Sequence, residues 1–290
     1  MTIKVQDVSK SFGKVKALDR VAVQFGGQKI YGLLGNNGAG KSTLLNIITS
    51  RYLADSGTVT LDGVPAFDND QALGQMYLLS EADYYPDDMR VNEGIRWAGA
   101  FYPKFDTQVA GRLAQSFELP AKKKISELST GYKTIFKIVI ALSTNAAYLL
   151  LDEPVLGLDA RHRDMFYKSL LERYSENPAT VVISTHLIAE VANLIEHCVI
   201  ISNGRIIKDA PCEDLLRSGY SVSGPAALLD QYLDGKEVIS CSALGGLKTA
   251  FVGGAAPAHS HDSGGLPVGL EVGKMNLQDY FIQLTKGEKQ

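Results

Sequence analysis

The stretch Gly35-Asn36-Asn37-Gly38-Ala39-Gly40-Lys41-Ser42-Thr43 decides how this chain is read. It fits the pattern GxxxxGK[ST]. Glycines let the backbone curl so that consecutive N–H groups point inward and cradle phosphate oxygens. Lys41 supplies a point charge to the β- and γ-phosphates, and the Ser42 hydroxyl can ligate Mg²⁺. Ile30 to Leu34, just before the loop, read as a strand, and Leu44 to Ile48, just after it, have helical spacing. The helix directs the positive end of its dipole at the anion, so strand, loop and helix together make the motif specific.

Further strands lie on both sides. Ile3, Val5 and Val8, then Val21, Val23 and Phe25, alternate as two short strands, with Gly26-Gly27 as the expected turn. Thr58 to Leu61, closed by Asp62-Gly63, and Met76 to Leu79 read as strands. From about Tyr84 to Lys124 the pattern becomes helical and rich in aromatics. Tyr148 to Leu151 and Val181 to Ser184 are apolar runs of buried-strand type, separated by a helix expected over Ala160 to Tyr174. Asn203-Gly204 between Val199-Ile200-Ile201 and Ile206-Ile207 is a hairpin signal. Strands alternating with helices predict a parallel sheet covered on both faces. Near residue 215 the character changes, and a hairpin of Val238 to Ser242 with Leu247 to Val252 is expected, turning at Gly245-Gly246. A Gly/Ala/Pro/Ser/His stretch, Gly253 to Gly265, reads as an exposed loop in which His259 and His261 are solvated rather than metal ligands. A helix from Leu277 to Leu284 follows.

Composition narrows the class. The 290 residues carry 29 Lys+Arg and 32 Asp+Glu, a formal charge of −3, which removes the global electrostatic case for nucleic acid. No apolar stretch approaches the roughly 18–20 residues that span a bilayer, and the N-terminus lacks a signal-peptide core. Cys198, Cys212 and Cys241 are far apart and in no CxxC pair, which fits a reducing compartment.

A second group of chemical residues is Tyr148-Leu-Leu-Leu-Asp152-Glu153-Pro154. A buried strand ending in Asp puts that carboxylate at the C-terminal edge of the sheet, where nucleotide sites form. Asp152 suits Mg²⁺ coordination, and Glu153 could orient and deprotonate an attacking water.

Between the two motifs lies Leu128-Ser129-Thr130-Gly131-Tyr132-Lys133, which resembles the LSGGQ signature of ABC-type ATPases. The order phosphate loop, signature, Asp-Glu strand, Gly157-Leu158-Asp159 and Ser184-Thr185-His186 is similar to that family from about residue 2 to 215. The resemblance implies a P-loop NTPase fold of α/β class. It comprises an ABC-type ATPase core (residues 1–215) with an antiparallel N-terminal β subdomain and a helical subdomain over about 82–147. A small α+β extension, residues 216–290, completes the chain. It also implies ATP and Mg²⁺ as ligands. Phe12 would stack on adenine, and Gly35 to Thr43 would hold the phosphates. Ser42 and Asp152 would hold the metal, with Glu153 and His186 catalytic. In the family two ATPase units face head to tail. Ser129 and Gly131 would then reach the γ-phosphate bound by a second copy, and Asp159 would lie at the seam.

The expected partners are a second copy and a transmembrane permease subunit, with the chain on the cytoplasmic face of the cell membrane. Two departures stand out. Thr130 and Tyr132 replace the first glycine and the glutamine of the signature, while Ser129 and Gly131 persist. Family members also carry a glutamine after the strand read as Met76 to Leu79. Here Ser80 and Glu81 follow it, Glu81 being the closer match, and its charge would fall near Mg²⁺. Tyr84 to Tyr102 lies where the family docks the coupling helices of its transporter, the alternative being the subdomain's own core; Lys122-Lys123-Lys124 reads as a solvated loop. The stretch Met275 to Thr285 resembles the tail of drug, antibiotic and peptide exporter ATPases. The spacing of Phe101-Tyr-Pro-Lys-Phe-Asp106 and the signature is similar to that of a subgroup serving peptide-type exporters, of the phenol-soluble-modulin kind. The other reading kept open is an ABC-type ATPase that acts without a membrane partner.

Overall fold

Alternation of apolar positions builds a long antiparallel hairpin from β1 (Thr2–Phe12) and β2 (Val15–Gly26), in which Ile3 faces Phe25 and Val5 faces Val23. The computed structural model describes residues 2–86, 88–256 and 266–286. The hairpin turns at Gly13-Lys14, not at Gly26-Gly27, because both strands continue beyond their alternating segments until Phe12 pairs with Val15. Gly27, at φ +74°, instead releases the chain from β2 toward β3 (Ile30–Leu34). The phosphate loop leads into α1 (Lys41–Ile48), and β4 (Ser56–Leu61) and β5 (Val64–Pro65) complete a four-stranded sheet of order β2-β1-β4-β5. The apolar face of this sheet shares one buried core with Leu44, Leu45 and Ile48 of α1.

The main sheet forms from β3, β6 (Met76–Leu79), β7 (Tyr148–Asp152), β8 (Thr180–Thr185), β9 (His197–Ser202) and β10 (Arg205–Pro211). Its order is β10-β9-β3-β8-β7-β6, and the four pairings β9/β3, β3/β8, β8/β7 and β7/β6 are parallel. All residues of β3, β6, β7 and β8 are buried, as expected for parallel strands covered on both faces. Asn203 and Gly204, at φ +47° and +75°, turn β9 into β10 as the Asn-Gly pair predicts.

A short α2 (Asp70–Leu73), capped by Asn69, precedes β6. The helical segment comprises α3 (Val91–Phe101), α4 (Thr107–Ser116) and α5 (Thr130–Ser143), with α6 (Ala160–Glu176) after β7. Helix begins at Val91 rather than near Tyr84: Pro86 disfavours helical backbone at Tyr85, and Glu93 accepts from the Arg90 N–H at 3.0 Å to cap the first turn. The aromatics of this segment divide. Trp97 and Phe101 are 51% and 70% exposed and lean on each other. Tyr102 instead packs edge-on to Tyr77 at 5.4 Å, and Tyr85 to Phe136 at 4.8 Å. Lys122 to Lys124 are exposed, as read.

The chain divides into two compact units, one of Met1–His186 with His197–Asp209, the other of Leu187–Glu196 with the residues from Ala210 onward. The second unit holds α7 (Ile188–Val191), α8 (Cys212–Arg217), β11 (Gly219–Pro225), α9 (Ala226–Leu233), β12 (Val238–Leu244), β13 (Leu247–Gly253), β14 (Glu271–Lys274) and α10 (Leu277–Lys286). Its sheet is antiparallel in the order β12-β13-β11-β14 and closes on Tyr220, Val222, Leu229, Ala250 and Val252. The hairpin expected around Gly245-Gly246 is β12 with β13. His259 and His261 lie outside the described residues. Among the described residues no helix is long and apolar enough to cross a membrane, and no cluster of three His, Cys, Asp or Glu could hold a metal. None of the three cysteines forms a disulfide.

Leu150, fully buried at the centre of β7, anchors the strand that carries Asp152. Leu150→Ala is expected to cost about 2–5 kcal/mol in urea unfolding, from lost burial and the cavity left behind.

Candidate functional site

Parallel strands in the order β3-β8-β7-β6 bring four strand ends to one edge. The phosphate loop follows β3, His186 follows β8, Asp152-Glu153 end β7, and Ser80-Glu81 follow β6. Residues far apart in sequence therefore meet because hydrogen-bonded neighbours end together.

The loop conformation depends on its glycines. Gly40 caps α1 at φ +111°, and a Cβ there would lie 2.6 Å from the Ala17 carbonyl oxygen and 2.8 Å from Leu18 Cδ2. Only glycine fits, and the bend leaves the first N–H groups of α1 free of intrahelical partners. Asn36, Asn37, Gly38 and Ser42 are exposed, Thr43 is half-buried, and Gly35, Ala39 and Lys41 are buried. Lys41 Nζ donates to the carbonyl oxygens of Gly35 (2.7 Å) and Asn36 (3.3 Å) and lies 3.4 Å from Glu153 Oε1.

The carboxylates occupy two different environments. Asp152 is 4% exposed and accepts a hydrogen bond from Ser184 Oγ at 2.8 Å. Burial pushes its carboxyl up, opposed by hydrogen bonds from the Ser42 and Ser184 hydroxyls and by the Lys41 charge. Asp152 and Ser42 are thus joined, a carboxylate and a hydroxyl of the hard-oxygen type that suits Mg²⁺. That ion takes few protein ligands and completes its shell with water and phosphate. Glu153 sits at φ +46°, an unfavourable conformation for a side chain with a Cβ, and is pinned by its N–H to the Ser184 carbonyl at 2.9 Å. His186 Nδ1 is 3.0 Å from both Glu153 oxygens. Lys41, Glu153 and His186 therefore form one chain of ionisable groups, reached from three strand ends.

The remaining expected residues sit as follows. Phe12, at the end of β1, is 47% exposed and packs edge-on to Tyr52 at 5.7 Å, leaving ring surface open. Ser129 is exposed and caps α5 by accepting from the Tyr132 N–H at 3.3 Å. Asp159 caps α6 by accepting from the His162 N–H at 2.9 Å. Gly131 touches the loop after the carboxylates, since a Cβ there would lie 2.8 Å from the Gly157 carbonyl oxygen. Thr134 Oγ1 also donates to the Leu156 carbonyl, so α5 is fitted directly to the segment carrying Glu153.

The ABC transporter family profile matches residues 18–156. The chain is 30% identical over 235 residues to the putative ABC transporter ATP-binding protein AlbC of Bacillus subtilis (strain 168), covering 77% of this chain and 98% of that protein. It belongs to the ABC transporter ATP-binding protein family. It is 32% identical over 233 residues to the arabinose import ATP-binding protein AraG of Burkholderia pseudomallei (strain 1710b), covering 74% of this chain but only 46% of AraG. The Nod factor export ATP-binding protein I of Paraburkholderia xenovorans (strain LB400) is 26% identical over 301 residues, spanning 99% of this chain and 98% of that protein. A solved structure titled as the ATP binding subunit of an ABC transporter superposes with a TM-score of 0.67 at 24% identity, over 75% of this chain and 92% of that one. The first unit is thus an ABC-type ATPase domain.

Three side chains of this ATPase domain escaped the sequence reading. Arg51 donates to Ser80 Oγ (3.1 Å) and the Leu78 carbonyl (3.2 Å). Lys133 and Lys137 both pair with Asp83. A lone lysine inside the apolar run Ile135-Phe-Lys-Ile-Val-Ile140 was the available signal. The close approach of signature and Asp159 segments gives a direct test: Gly131→Ala forces its Cβ onto a backbone oxygen. It is expected to lower stability by about 1–3 kcal/mol in a denaturant melt, whereas Gly111→Ala, at a site with open space, is expected to leave it unchanged or raise it.

Proposed function

We propose that this chain binds ATP with Mg²⁺ and hydrolyses it as a head-to-tail dimer with a second copy. The cycle drives export of a substrate through a separate transmembrane subunit at the cytoplasmic face of the cell membrane. The observation that carries the hydrolysis is the placement of Glu153, 3.0 Å from His186 and 3.4 Å from Lys41 at the mouth of the phosphate loop.

The loop amides and the N-terminus of α1 hold the phosphates, and the exposed Phe12 ring stacks on adenine. A triphosphate competes with Glu153 and the loop carbonyls for Lys41, which frees Glu153 to receive a proton. Ser42 and Asp152 would hold Mg²⁺, which when bound would supply charge neutralisation at the phosphates. Glu153 takes the proton from a water whose oxygen attacks the γ-phosphorus as the bond to the bridging oxygen of ADP breaks. His186 fixes the Glu153 carboxylate and reaches the γ-phosphate. Ser129, the Gly131 backbone and Asp159 of a second copy close the site, so the negative charge of ATP is neutralised from both sides and holds the pair together. Hydrolysis and phosphate release remove that link, a shift of population between closed and open pairs.

Support for export comes from the full-length likeness to a Nod factor exporter subunit and from the tail resemblance at Met275 to Thr285. The near-neutral charge of −3 gives no support to a nucleic-acid partner.

Glu153→Gln is expected to lower kcat by about 10²–10⁴-fold while ATP binding persists, with the dimer stabilised by ATP in light scattering. Turnover unchanged in this variant would refute Glu153 as the base. For direction, the chain is expected to copurify with a polytopic membrane protein. ATP added outside inverted vesicles should then drive substrate into the lumen; ATP-dependent efflux from the lumen would mean import.

A further inference from the structure

The loop after β6 is held by an arrangement that the catalytic reading leaves unused. Lys137, on α5 and 9% exposed, has three N–H donors and three acceptors. They are the Ser80 carbonyl at 3.2 Å, the Glu81 carbonyl at 2.6 Å and Asp83 Oδ1 at 2.7 Å. A saturated ammonium bonded to two consecutive carbonyls fixes the peptide plane between them, and so fixes the point from which the Glu81 side chain leaves the backbone. Lys133, one turn earlier on α5, holds the other Asp83 oxygen at 2.9 Å. Burial pushes the Asp83 carboxyl up, but the two ammonium groups outweigh it and keep it below the usual carboxylate range.

The opposite side of the loop is held by Arg51, which follows α1, through the Ser80 hydroxyl and the Leu78 carbonyl. The strap from Ser80 to Asp83 therefore ties the helix that starts at the phosphate loop to the helix that starts at Ser129. Glu81 lines a cavity of about 260 Å³ together with Asp152, Glu153, Thr130 and Lys133. Among the described residues no donor reaches the Glu81 carboxylate, so the position of Glu81 in the cavity it lines with Asp152 and Glu153 is set by the backbone that Lys137 holds.

We infer that Lys137 is a positioning residue for ATP hydrolysis: it acts through the strap Ser80–Asp83 to set Glu81 in the cavity lined by Asp152 and Glu153. This rests on the reading of the site as an ATPase. Lys137 spends its three donors on the strap, so its removal changes the geometry of the reacting state more than the binding of ATP.

The test is steady-state ATP hydrolysis by the full chain, with ATP binding and thermal melting measured on the same samples. Lys137→Met is expected to lower kcat roughly tenfold or more with KM for ATP within about twofold, and Lys137→Arg to recover most of the loss. Asp83→Asn breaks the clamp from the exposed loop side, without emptying space inside α5, and is expected to lower kcat in the same direction. The double variant Lys137→Met/Glu81→Ala is expected to be no slower than the slower single variant, because both changes remove one placement. The inference is overturned if kcat in Asp83→Asn and Lys137→Met stays within about twofold of the unsubstituted chain, if Lys137→Arg recovers nothing, or if the two single effects multiply. Should Lys137→Met melt near room temperature, Asp83→Asn decides. An unsubstituted chain with no ATP turnover would overturn the ATPase reading and this inference with it; turnover intact in every variant overturns the inference alone.

Discussion

Parallel pairing of β3, β8, β7 and β6 is the constraint on which the rest of this molecule depends. Each strand is wholly buried, so its register is fixed by burial on both faces, and its end is fixed by its neighbour's. The phosphate loop, the two carboxylates, His186 and the strap at Ser80 are therefore presented at one edge without any of them contributing much to the core. Chemistry on strand ends is positioned by apolar residues that take no part in it.

The edge concentrates charge, and the structure manages it pair by pair. Asp152 is buried but shares hydroxyl donors from Ser42 and Ser184. Glu153 is balanced between Lys41 and His186. Asp83 is balanced between Lys133 and Lys137. Burial pushes the Asp152 carboxyl up and the Ser42 and Ser184 hydroxyls work against that, whereas the two ammonium groups beside Asp83 hold its carboxyl below the usual carboxylate range. The strained backbone of Glu153 belongs to the same economy of placement: a residue held in the left-handed region persists only where its surroundings overdetermine it.

The helical segment shows how an aromatic-rich stretch can hold two kinds of residue. Tyr85 packs against Phe136 and Tyr102 against Tyr77, while Trp97 and Phe101 remain on the surface of α3. Amphipathic spacing tells which positions share a helix face, but not which face a neighbouring element covers. The same limit explains the N-terminal hairpin. Alternation marked its apolar residues correctly, whereas its turn lay at Gly13-Lys14, beyond the reach of the pattern, because the strands continue past their alternating segments until Phe12 pairs with Val15.

Local chemistry was legible in the chain itself. GNNGAGKST between strand and helix, Asp152-Glu153 at the end of an apolar run, and Asn203-Gly204 each need only their own residues and immediate neighbours to take the observed form, since backbone freedom and burial periodicity are short-range properties. Contacts between distant segments were not legible. Lys137 with Ser80, Glu81 and Asp83, Arg51 with Leu78, and Gly131 against Gly157 arise from how helices lie over strand ends. Sequence fixes which groups can donate or accept, but only the packed sheet and its covering helices decide which donor meets which acceptor.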